Sequence, residues 1–566
     1  MRVGMDESRA ARRNARGDRF PEFEPMRTID GSAMRWRPRT PSRFPRIPVP
    51  PIRRPAYPRA GAAATLVLVM LASLLVLVLL AVALMRGETG FPGASNGEVA
   101  NAEGAGESLV VYCAASNKSV IEAIRRDYEA AFGRAVTIQY GSSQTLLASM
   151  QVSRSADLFL PADTSYLDMA RRIGFGLVEY PLARMNAVLA VPLGNPKAIR
   201  TFSDLLRPGV RVAQASAESA AIGKLTRETL SHSGNWDRLA ANTVVFKTTV
   251  NDVANDVKLG SVDAGIVFDA VLHDYETLER VAIPELESIQ AHVSIGLIAS
   301  SPKVRAASHF ARFASARDKG LAHYRAHGFQ AEEGDTWSDA PELILYAGSM
   351  LRPAIEKTIT AFEEREGCRV TRVYNGCGIL VAQMKAGNVP DAYFACDSEF
   401  MDQVSDLFPE SSDVSRNELV ILVKKGNPFD IRSLRDLTRP GLRVGIGHEK
   451  QCAMGWLTQR TFTESGLQTE LMANVVVQTP TGDMLVNQMR SGSLDAAVAY
   501  LSNAAGAADA LDAIRIQGIP CSIATQPFGI ASGSDHTRLA GRLLDAIRER
   551  ESRERFASEG FQWVRP

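Results

Sequence analysis

The 566-residue sequence has few of the residues that build catalytic and metal centres. It contains only eight histidines. Its six cysteines are too few for a disulfide scaffold in a chain of this length. The motifs HExxH and GxSxG and the phosphate-binding loop are absent, which excludes three common enzyme signatures. A net charge of +1 provides no strongly basic surface for nucleic acid. We therefore expect a binding protein rather than an enzyme, with no cofactor and no nucleic-acid partner.

Lysine is absent from residues 1–60, where fifteen arginines accompany six acidic residues and ten prolines. Such a composition cannot bury a core, so it predicts a disordered cytoplasmic arm. Charge and proline are absent from the 24 residues Ala62–Met85, a run long enough to cross a hydrocarbon core of about 30 Å. Because the arginines precede it, the run predicts an uncleaved signal-anchor helix in the inner membrane, with the body on the periplasmic side. Residues 86–107 are predicted to be a flexible linker.

An internal repeat organises the sequence from residue 108 onward. Matching segments recur 232 residues apart: GNP at 194–196 and 426–428, RPGVRV at 207–212 and RPGLRV at 439–444, and SVDA at 261–264 and SLDA at 493–496. Several matches at one spacing indicate a duplication, and a period of this length is too long for a solenoid. We predict two copies of one domain, over residues 108–337 and 341–566.

Each copy begins with short apolar segments that alternate with amphipathic ones. In the first copy, Leu109–Cys113, Val136–Tyr140 and Leu158–Leu160 are predicted strands, and apolar residues at helical spacing separate them. This βαβαβ order predicts a parallel sheet with crossover helices. Ligands of such sheets bind beyond the carboxyl ends of the strands, so the loops that follow these strands are the candidate site.

The candidate loops contain small and polar residues and no basic residue. In the first copy they are Ala114-Ala115-Ser116, Gly141-Ser142-Ser143 and Pro161-Ala162-Asp163. Helix N-terminal N–H groups and serine hydroxyls together can hold an anion without Arg or Lys. The alternative interpretation is that the serines only cap helices. Ser119 and Glu122 have the spacing of a capping box, which predicts that Ser116 is free of that role.

Each copy resembles a periplasmic solute-binding protein of the molybdate and tungstate transporter family. The resemblance rests on the order of several motifs: the AAS or AGS loop after the first strand, the GSS loop, ADLFLPAD at 156–163, the GNP turn, DLLRPGVRV at 204–212 and SVDAGIVF at 261–268. It implies two α/β lobes in each domain, with the ligand in the cleft between them. The implied hinge strands lie near Ala187–Pro192 and His292–Ala299. Ferric- and sulfate-binding relatives share this fold.

The resemblance also implies that two serines, backbone amides and a tyrosine bind a tetrahedral oxyanion. In the first copy, the matching positions are Ser116 and Ser143 for the serines, Ala162 and Ala220 for the amide donors, and Phe268 for the tyrosine. Phe268 lacks a hydroxyl donor, and an unpaired carboxylate on the adjacent Asp269 would oppose an anion.

The second copy departs from the family pattern in a different way. Ser349 and Tyr500 match the first serine and the tyrosine. Cys377 stands at the second serine position, and Cys396 and Cys452 stand at the amide positions. Three interpretations stay open for these cysteines: small substitutes in a cleft that has lost its ligand, a disulfide, or thiolate ligands for a soft metal such as Cu(I) or Zn(II).

The predicted function is a membrane-anchored extracytoplasmic receptor that captures a small, molybdate-like oxyanion for an ABC transporter permease. The alternatives are a ligand sensor or scaffold with degenerate clefts, and a soft-metal receptor that acts through the second domain. The predicted fold class is α/β, with two tandem periplasmic-binding-protein-like domains of two lobes each, preceded by one transmembrane helix.

Overall fold

The computed structural model describes residues 108–564. The predicted arm, signal-anchor helix and linker fall within residues 1–107 and therefore lie outside the described residues. Among the helices of residues 108–564, none is long and apolar enough to cross a membrane. The predicted localisation as a single-pass inner-membrane protein is therefore wrong, because no helix of the described chain supplies the span.

The first domain is built on a ten-stranded mixed sheet. Its strands are β1 (Leu109–Ala114), β2 (Val136–Gly141), β3 (Leu158–Leu160), β4 (Leu177–Pro192), β5 (Val212–Ala215), β6 (Thr243–Lys247), β7 (Ala264–Phe268), β8 (Leu278–Val281), β9 (Gln290–Ile298) and β10 (Gln330–Ala331). The strand order is β2-β1-β3-β9-β4-β7-β5-β6, and β8 and β10 pair with β4. The three predicted strands are confirmed as β1, β2 and β3, and β1 pairs in parallel with both of its neighbours.

Nine α-helices of the described chain belong to this domain. They are α1 (Lys118–Phe132), α2 (Ser143–Ser153), α3 (Ser165–Arg172), α4 (Phe202–Leu205), α5 (Ala221–His232), α6 (Trp236–Asn242), α7 (Val250–Lys258), α8 (Val304–Ala314) and α9 (Gly320–Ala326). Every residue of β3 and β7 is buried. These two strands are apolar at every position and do not alternate between apolar and polar residues, as expected where helices cover both faces of a sheet.

The second domain repeats this architecture. Its strands are β11 (Glu342–Gly348), β12 (Arg369–Asn375), β13 (Ala392–Phe394), β14 (Ser411–Lys424), β15 (Val444–Gly447), β16 (Val475–Thr479), β17 (Ala496–Tyr500), β18 (Leu511–Arg515), β19 (Ile523–Ile530) and β20 (Gln562–Trp563). Its helices are α10 (Arg352–Glu366), α11 (Cys377–Lys385), α12 (Ser398–Asp402), α13 (Ala453–Glu464), α14 (Gln468–Ala473), α15 (Gly482–Ser491), α16 (Leu501–Ala505), α17 (Thr537–Ile547) and α18 (Arg550–Ser558). The strand order β12-β11-β13-β19-β14-β17-β15-β16 corresponds strand for strand to the first sheet.

Two long antiparallel strands, β4 and β9, connect the two lobes of the first domain. Residues 177–186 of β4 pair with β9. From Ala187 to Ala190 the same strand pairs with β7 of the other lobe. The chain therefore passes from one lobe to the other at Asn186–Ala187, and the cleft opens beside this crossing. In the second domain, β14 pairs with β19 and β17 in the same way.

A buried ion-pair cluster joins the two domains, although each has its own hydrophobic core. Glu366, at the end of α10, is fully buried. Tyr180 of the first domain donates its hydroxyl to both carboxylate oxygens at 3.1 Å. Arg542 of α17 donates to the same carboxylate at 3.2 Å and lies 4.3 Å from the Tyr180 ring centre. Burial opposes ionisation of Glu366, but the charges of Arg542 and Arg365 outweigh it and lower the Glu366 pKa.

Candidate functional site

The cleft of the first domain contains a small pocket of about 250 Å³, counting the space open to solvent. All five site residues predicted for this copy line it: Ser116, Ser143, Ala162, Ala220 and Phe268. They come from four loops and one strand end that are far apart in sequence. No lysine or arginine is among the lining residues. The structure thus brings the predicted first-copy residues together.

Ser143 is placed by the start of helix α2. The preceding residue, Ser142, caps this helix, because its hydroxyl oxygen accepts the N–H of Thr145 at 3.4 Å. The capping interpretation therefore holds for Ser142 and not for Ser143. The oxygen of Ser143 accepts the N–H of Ala162 at 3.0 Å. Its own O–H remains able to donate to a ligand, since a hydroxyl is both donor and acceptor.

Ser116 lies in a short 3-10 turn, Ala115–Asn117, that leads into α1. Its oxygen accepts a weak hydrogen bond of 3.4 Å from the Asn117 side chain. Helix α1 has no side-chain cap, so Ser116 does not serve as one. The predicted capping box is wrong, because the 3-10 turn moves Ser119 into the body of the helix. Ser119 instead donates to Asp274 at 2.6 Å.

The second lobe contributes two further helix N-termini to the pocket. Ala220 is the residue that precedes α5, and its N–H donates to the Ser216 carbonyl at 2.9 Å. The N-terminal residues Ala221 and Ile222 lie next to it and also line the pocket. A side chain at Gly223 would overlap the carbonyl of Ala215, so glycine lets this helix begin directly over the end of β5.

Thr249 and Val250, at the start of α7, are pocket residues that the sequence interpretation missed. A capping box formed by Thr249 and Asp252 marks this helix start. That T-x-x-D pattern was the signal available in the sequence. The pocket is therefore lined by the N-terminal ends of α2, α5 and α7 and by the 3-10 turn that leads into α1. Each end carries a partial positive charge, and together they suit an anion.

Asp269 does not oppose an anion in the way that the sequence suggested. Its carboxylate accepts the backbone N–H of Asn186 at 3.0 Å, the N–H of Ala270 at 2.9 Å and the Asn186 side-chain amide at 3.3 Å. The assumption of an unpaired carboxylate is wrong, because β4 crosses between the lobes beside it. Phe268 is fully buried and lines the pocket, and its side chain has no hydroxyl to donate.

A backbone hydrogen bond closes each cleft. In the first domain, the N–H of Gln144 donates to the carbonyl of Ser219 in the opposite lobe at 3.2 Å. In the second domain, the N–H of Gly378 donates to the carbonyl of Gln451 at 3.1 Å. Both domains therefore have their two lobes in contact at the start of the helix that follows the second strand.

The second cleft repeats this backbone with different side chains. Cys377 begins α11, Cys396 follows β13, and Cys452 precedes α13. The Cys377 and Cys396 sulfurs lie 2.6 Å apart. The N–H of Cys396 donates to the Cys377 sulfur at 3.1 Å, as the N–H of Ala162 does to Ser143.

Cys452 stands apart from this pair. Its thiol contacts the carbonyls of His448 and Thr479, at 3.6 Å in each case. Within residues 108–564, no group of three or more His, Cys, Asp or Glu side chains is arranged to hold a metal ion. The structure therefore pairs two of the three thiols and gives no support to a site in which all three bind one metal.

The remaining polar groups of the second cleft are poorly matched to an anion. Ser349 opens the 3-10 turn Ser349–Leu351, as Ala115 opens the matching turn of the first copy, so the structure places Ser349 at the position of Ala115 rather than of Ser116. Tyr500 is buried, and its hydroxyl has no hydrogen-bond partner among the described residues. Burial and then the charge of Asp397 raise the pKa of Tyr500. Burial also raises the pKa of Asp397 to about 6.

Comparison with known proteins identifies the architecture. A family model for bacterial extracellular solute-binding proteins matches residues 109–330 and again residues 343–562. The chain belongs to this family. The duplication is thus a tandem repeat of one family domain, and each predicted copy contains one match.

Curated relatives match about one domain of the chain. A putative binding protein of Haemophilus influenzae is 28% identical over 229 residues, which are 39% of this chain and 91% of the relative. The molybdate-binding protein ModA of Mycobacterium tuberculosis is 34% identical over 164 residues, 28% of this chain and 60% of ModA. A putative ABC transporter substrate-binding lipoprotein of Bacillus subtilis, YvgL, is 26% identical over 238 residues, 40% of this chain and 87% of that protein.

Solved structures also align with one domain at a time. The substrate-binding domain of a putative molybdenum ABC transporter from Clostridium difficile aligns with 40% of this chain and 99% of its own, at 24% identity and a TM-score of 0.33. The periplasmic molybdate-binding protein of Azotobacter vinelandii aligns with 40% of this chain and all of its own, at 19% identity and a TM-score of 0.36.

Proposed function

We propose that the first domain captures a small tetrahedral oxyanion, such as molybdate, and delivers it to an ABC-type permease. The observation that carries this proposal is the pocket in which Ser116 and Ser143 meet the N-termini of three helices without any basic residue. We also propose that the two domains extend over residues 108–337 and 341–566, so that each contains one family match.

The chemistry of the pocket supports an anion of low charge density. Hydroxyl and backbone N–H donors hold such an anion by geometry, and the helix termini stabilise its charge. A hydrogen bond to a charged group contributes about 1.5–3 kcal/mol. The two serine hydroxyls and the helix termini would supply this binding free energy without an ion pair, because the N–H groups of Ala162 and Ala220 are already bonded to Ser143 and Ser216. The buried Phe268 ring leaves this pocket one hydroxyl short of the family pattern.

The relatives support the transport role. One is described as a molybdate-binding protein and another as an ABC transporter substrate-binding lipoprotein. A binding protein of that kind needs a permease as its partner. The alternative roles, a ligand sensor or scaffold and a soft-metal receptor, would depend on the second cleft, where only two of the three thiols are paired.

Titration calorimetry on the full chain tests the proposal. Molybdate, tungstate, sulfate and phosphate are compared, and one of these oxyanions is expected to bind with one dominant site. Ser143→Ala should weaken that binding by about tenfold or more, because about 1.4 kcal/mol corresponds to a factor of ten. Ser149→Ala is the matched control, since Ser149 lies on the same helix and bonds only to the Thr145 carbonyl. Unchanged affinity in Ser143→Ala would contradict the proposed site.

A further inference from the structure

Two buried thiols of the second cleft are in direct contact. Cys377, the first residue of α11, is fully buried, and Cys396 is 5% exposed. Their sulfurs lie 2.6 Å apart. A disulfide requires sulfurs at about 2.05 Å from two cysteines whose Cβ atoms face each other. Both residues belong to the same lobe, so bond formation needs no movement of one lobe against the other.

The surrounding chain is adapted to the Cys396 sulfur. A side chain at Gly348 would overlap this sulfur, so only glycine fits there. The corresponding residue of the first domain is Ala114, and Ala162 stands there in place of Cys396, so no sulfur is present. The side-chain amide of Gln526 also donates to the Cys396 carbonyl at 3.0 Å and holds the loop in place. These contacts fix the position of Cys396 against Cys377.

We propose that Cys377 and Cys396 are a redox-active pair that forms a reversible disulfide by exchange with a disulfide-bearing oxidant. The Cys377 thiolate attacks one sulfur of the oxidant, and the oxidant's first thiolate leaves. Cys396 then loses its proton to solvent and attacks the Cys377 sulfur, which releases the second thiolate. In total, two protein thiols are oxidised to one disulfide, and one oxidant disulfide is reduced to two thiols.

Cys377 is the better nucleophile of the pair. Burial opposes its ionisation, but its contact with the Cys396 thiol and the Cys396 N–H lower its pKa below the usual cysteine value. The pKa of Cys396 is raised by the contact with Cys377 and by burial. Since the thiolate is the attacking species, Cys377 rather than Cys396 attacks the disulfide of the oxidant.

Access to the pair depends on the cleft. Both thiols are buried while the Gly378 N–H bonds across the cleft to Gln451, so an oxidant reaches them only when the lobes separate. The disulfide removes both S–H groups from the site that corresponds to Ser143 and Ala162. The second cleft would then differ between an oxidised and a reduced form, independently of any oxyanion in the first. An extracellular family is exposed to oxidising conditions, where disulfides persist.

Disulfide mapping on the full chain tests this inference. The protein is equilibrated with defined ratios of oxidised and reduced glutathione, quenched with acid, alkylated and analysed by peptide mass spectrometry. A peptide pair that joins Cys377 to Cys396 is expected to appear as the ratio becomes oxidising and to disappear on reduction. Cys452→Ser should retain the bond, whereas Cys396→Ala should abolish it.

Two results would overturn the proposal. One is separate alkylation of Cys377 and Cys396 at every ratio, with Cys521, a partly exposed thiol, serving as the control for reagent access. The other is a bond from either residue to Cys452. Both are read on the unsubstituted chain, so they remain decisive if Cys396→Ala does not fold.

Discussion

The two clefts of this protein share a backbone and differ in chemistry. The sheets have corresponding strand orders, and one cross-lobe hydrogen bond closes each cleft. The N–H of Ala162 donates to Ser143, and the N–H of Cys396 donates to Cys377. The side chains at these positions have nevertheless changed from hydroxyl and methyl to two thiols. The comparison shows that the fold tolerates a change of side-chain chemistry in the cleft when the loops keep their backbone contacts.

Compensating changes surround the thiols. The first domain has Ser142 and Gln144 on either side of Ser143, whereas the second has Gly376 and Gly378 on either side of Cys377. A side chain at Gly376 or Gly378 would overlap backbone carbonyls of the opposite lobe. The second cleft is therefore closed more tightly than the first, and the removed side chains make that closure possible.

A buried aspartate also distinguishes the clefts. Asp163 accepts the N–H groups of Ser165 at 3.0 Å and His292 at 3.1 Å. Asp397, its counterpart, accepts the N–H of Glu399 at 3.0 Å. With one backbone donor and 5% exposure, the Asp397 carboxylate is poorly compensated. The first loop therefore gives its carboxylate two backbone donors and the second gives only one, and burial raises the pKa of Asp397 to about 6.

The largest expected effect tests whether the two domains unfold independently of each other. Glu366→Gln removes the charge that Arg542 faces while Arg542 stays buried. Removing one partner of a buried pair costs about 3–5 kcal/mol of unfolding free energy. Because the Glu366 pKa is lowered in the folded state, this stability is present above the unfolded glutamate pKa and is lost as pH falls below it.

Calorimetric unfolding of the full chain measures this effect. Glu364→Gln, an exposed neighbour on the same helix, is the control and should leave the transition unchanged. We expect Glu366→Gln to lower the transition temperature of both domains, because Tyr180 belongs to the first domain and Glu366 to the second. A shift of one transition only, or none, would mean that the cluster does not couple them.

The second prediction sharpens the comparison between the aspartates. The folded Asp397 pKa of about 6 exceeds the unfolded value, so the folded state binds more protons in the window between. Its contribution to stability should therefore fall by roughly 2 kcal/mol as pH rises from about 4 to about 6. Asp397→Asn should remove this loss and stabilise the second domain at neutral pH.

Urea unfolding at several pH values checks this prediction. Asp163→Asn is the matched substitution in the first domain, and it should destabilise. The amide nitrogen of Asn cannot accept one of the two N–H groups, and leaving a buried donor unpaired costs about 1–3 kcal/mol. The same sign for both substitutions would refute the proposed difference between the loops.

The third and smallest effect concerns the packing of the thiol. Gly348→Ala should destabilise the second domain by about 1–3 kcal/mol, because the added methyl overlaps the Cys396 sulfur. Cys396→Ala in the same chain should relieve most of this cost, since the double variant recreates the Ala114 and Ala162 pair of the first domain. A double-mutant cycle of denaturant unfolding measures the coupling. If the effects of the two substitutions were additive, the Cys396 sulfur would not be the reason that glycine is required at Gly348.

Sequence alone was sufficient for the repeat, the strands that begin each copy and the serines of the first cleft. These features depend on local information: matching segments at one spacing identify a duplication, and apolar periodicity identifies strands and helices. The loops after parallel strands necessarily meet at one edge of the sheet, so Ser116, Ser143 and Ala162 could be predicted to converge. The resemblance to a known family added Ala220 and Phe268 from the other lobe.

Only the tertiary structure decided which polar groups are paired. Asp269 looked unpaired because Asn186 is distant in sequence, and β4 brings the two together. Cys377 contacts Cys396 but not Cys452. In the sequence, all three cysteines stand at ligand-binding positions of the family pattern, so this difference could not be predicted. Glu366 is buried by residues of both domains, which no periodicity within one helix predicts. Hydrogen bonds and ion pairs are short-range contacts between segments, so their partners follow from how the lobes and domains pack rather than from spacing along the chain.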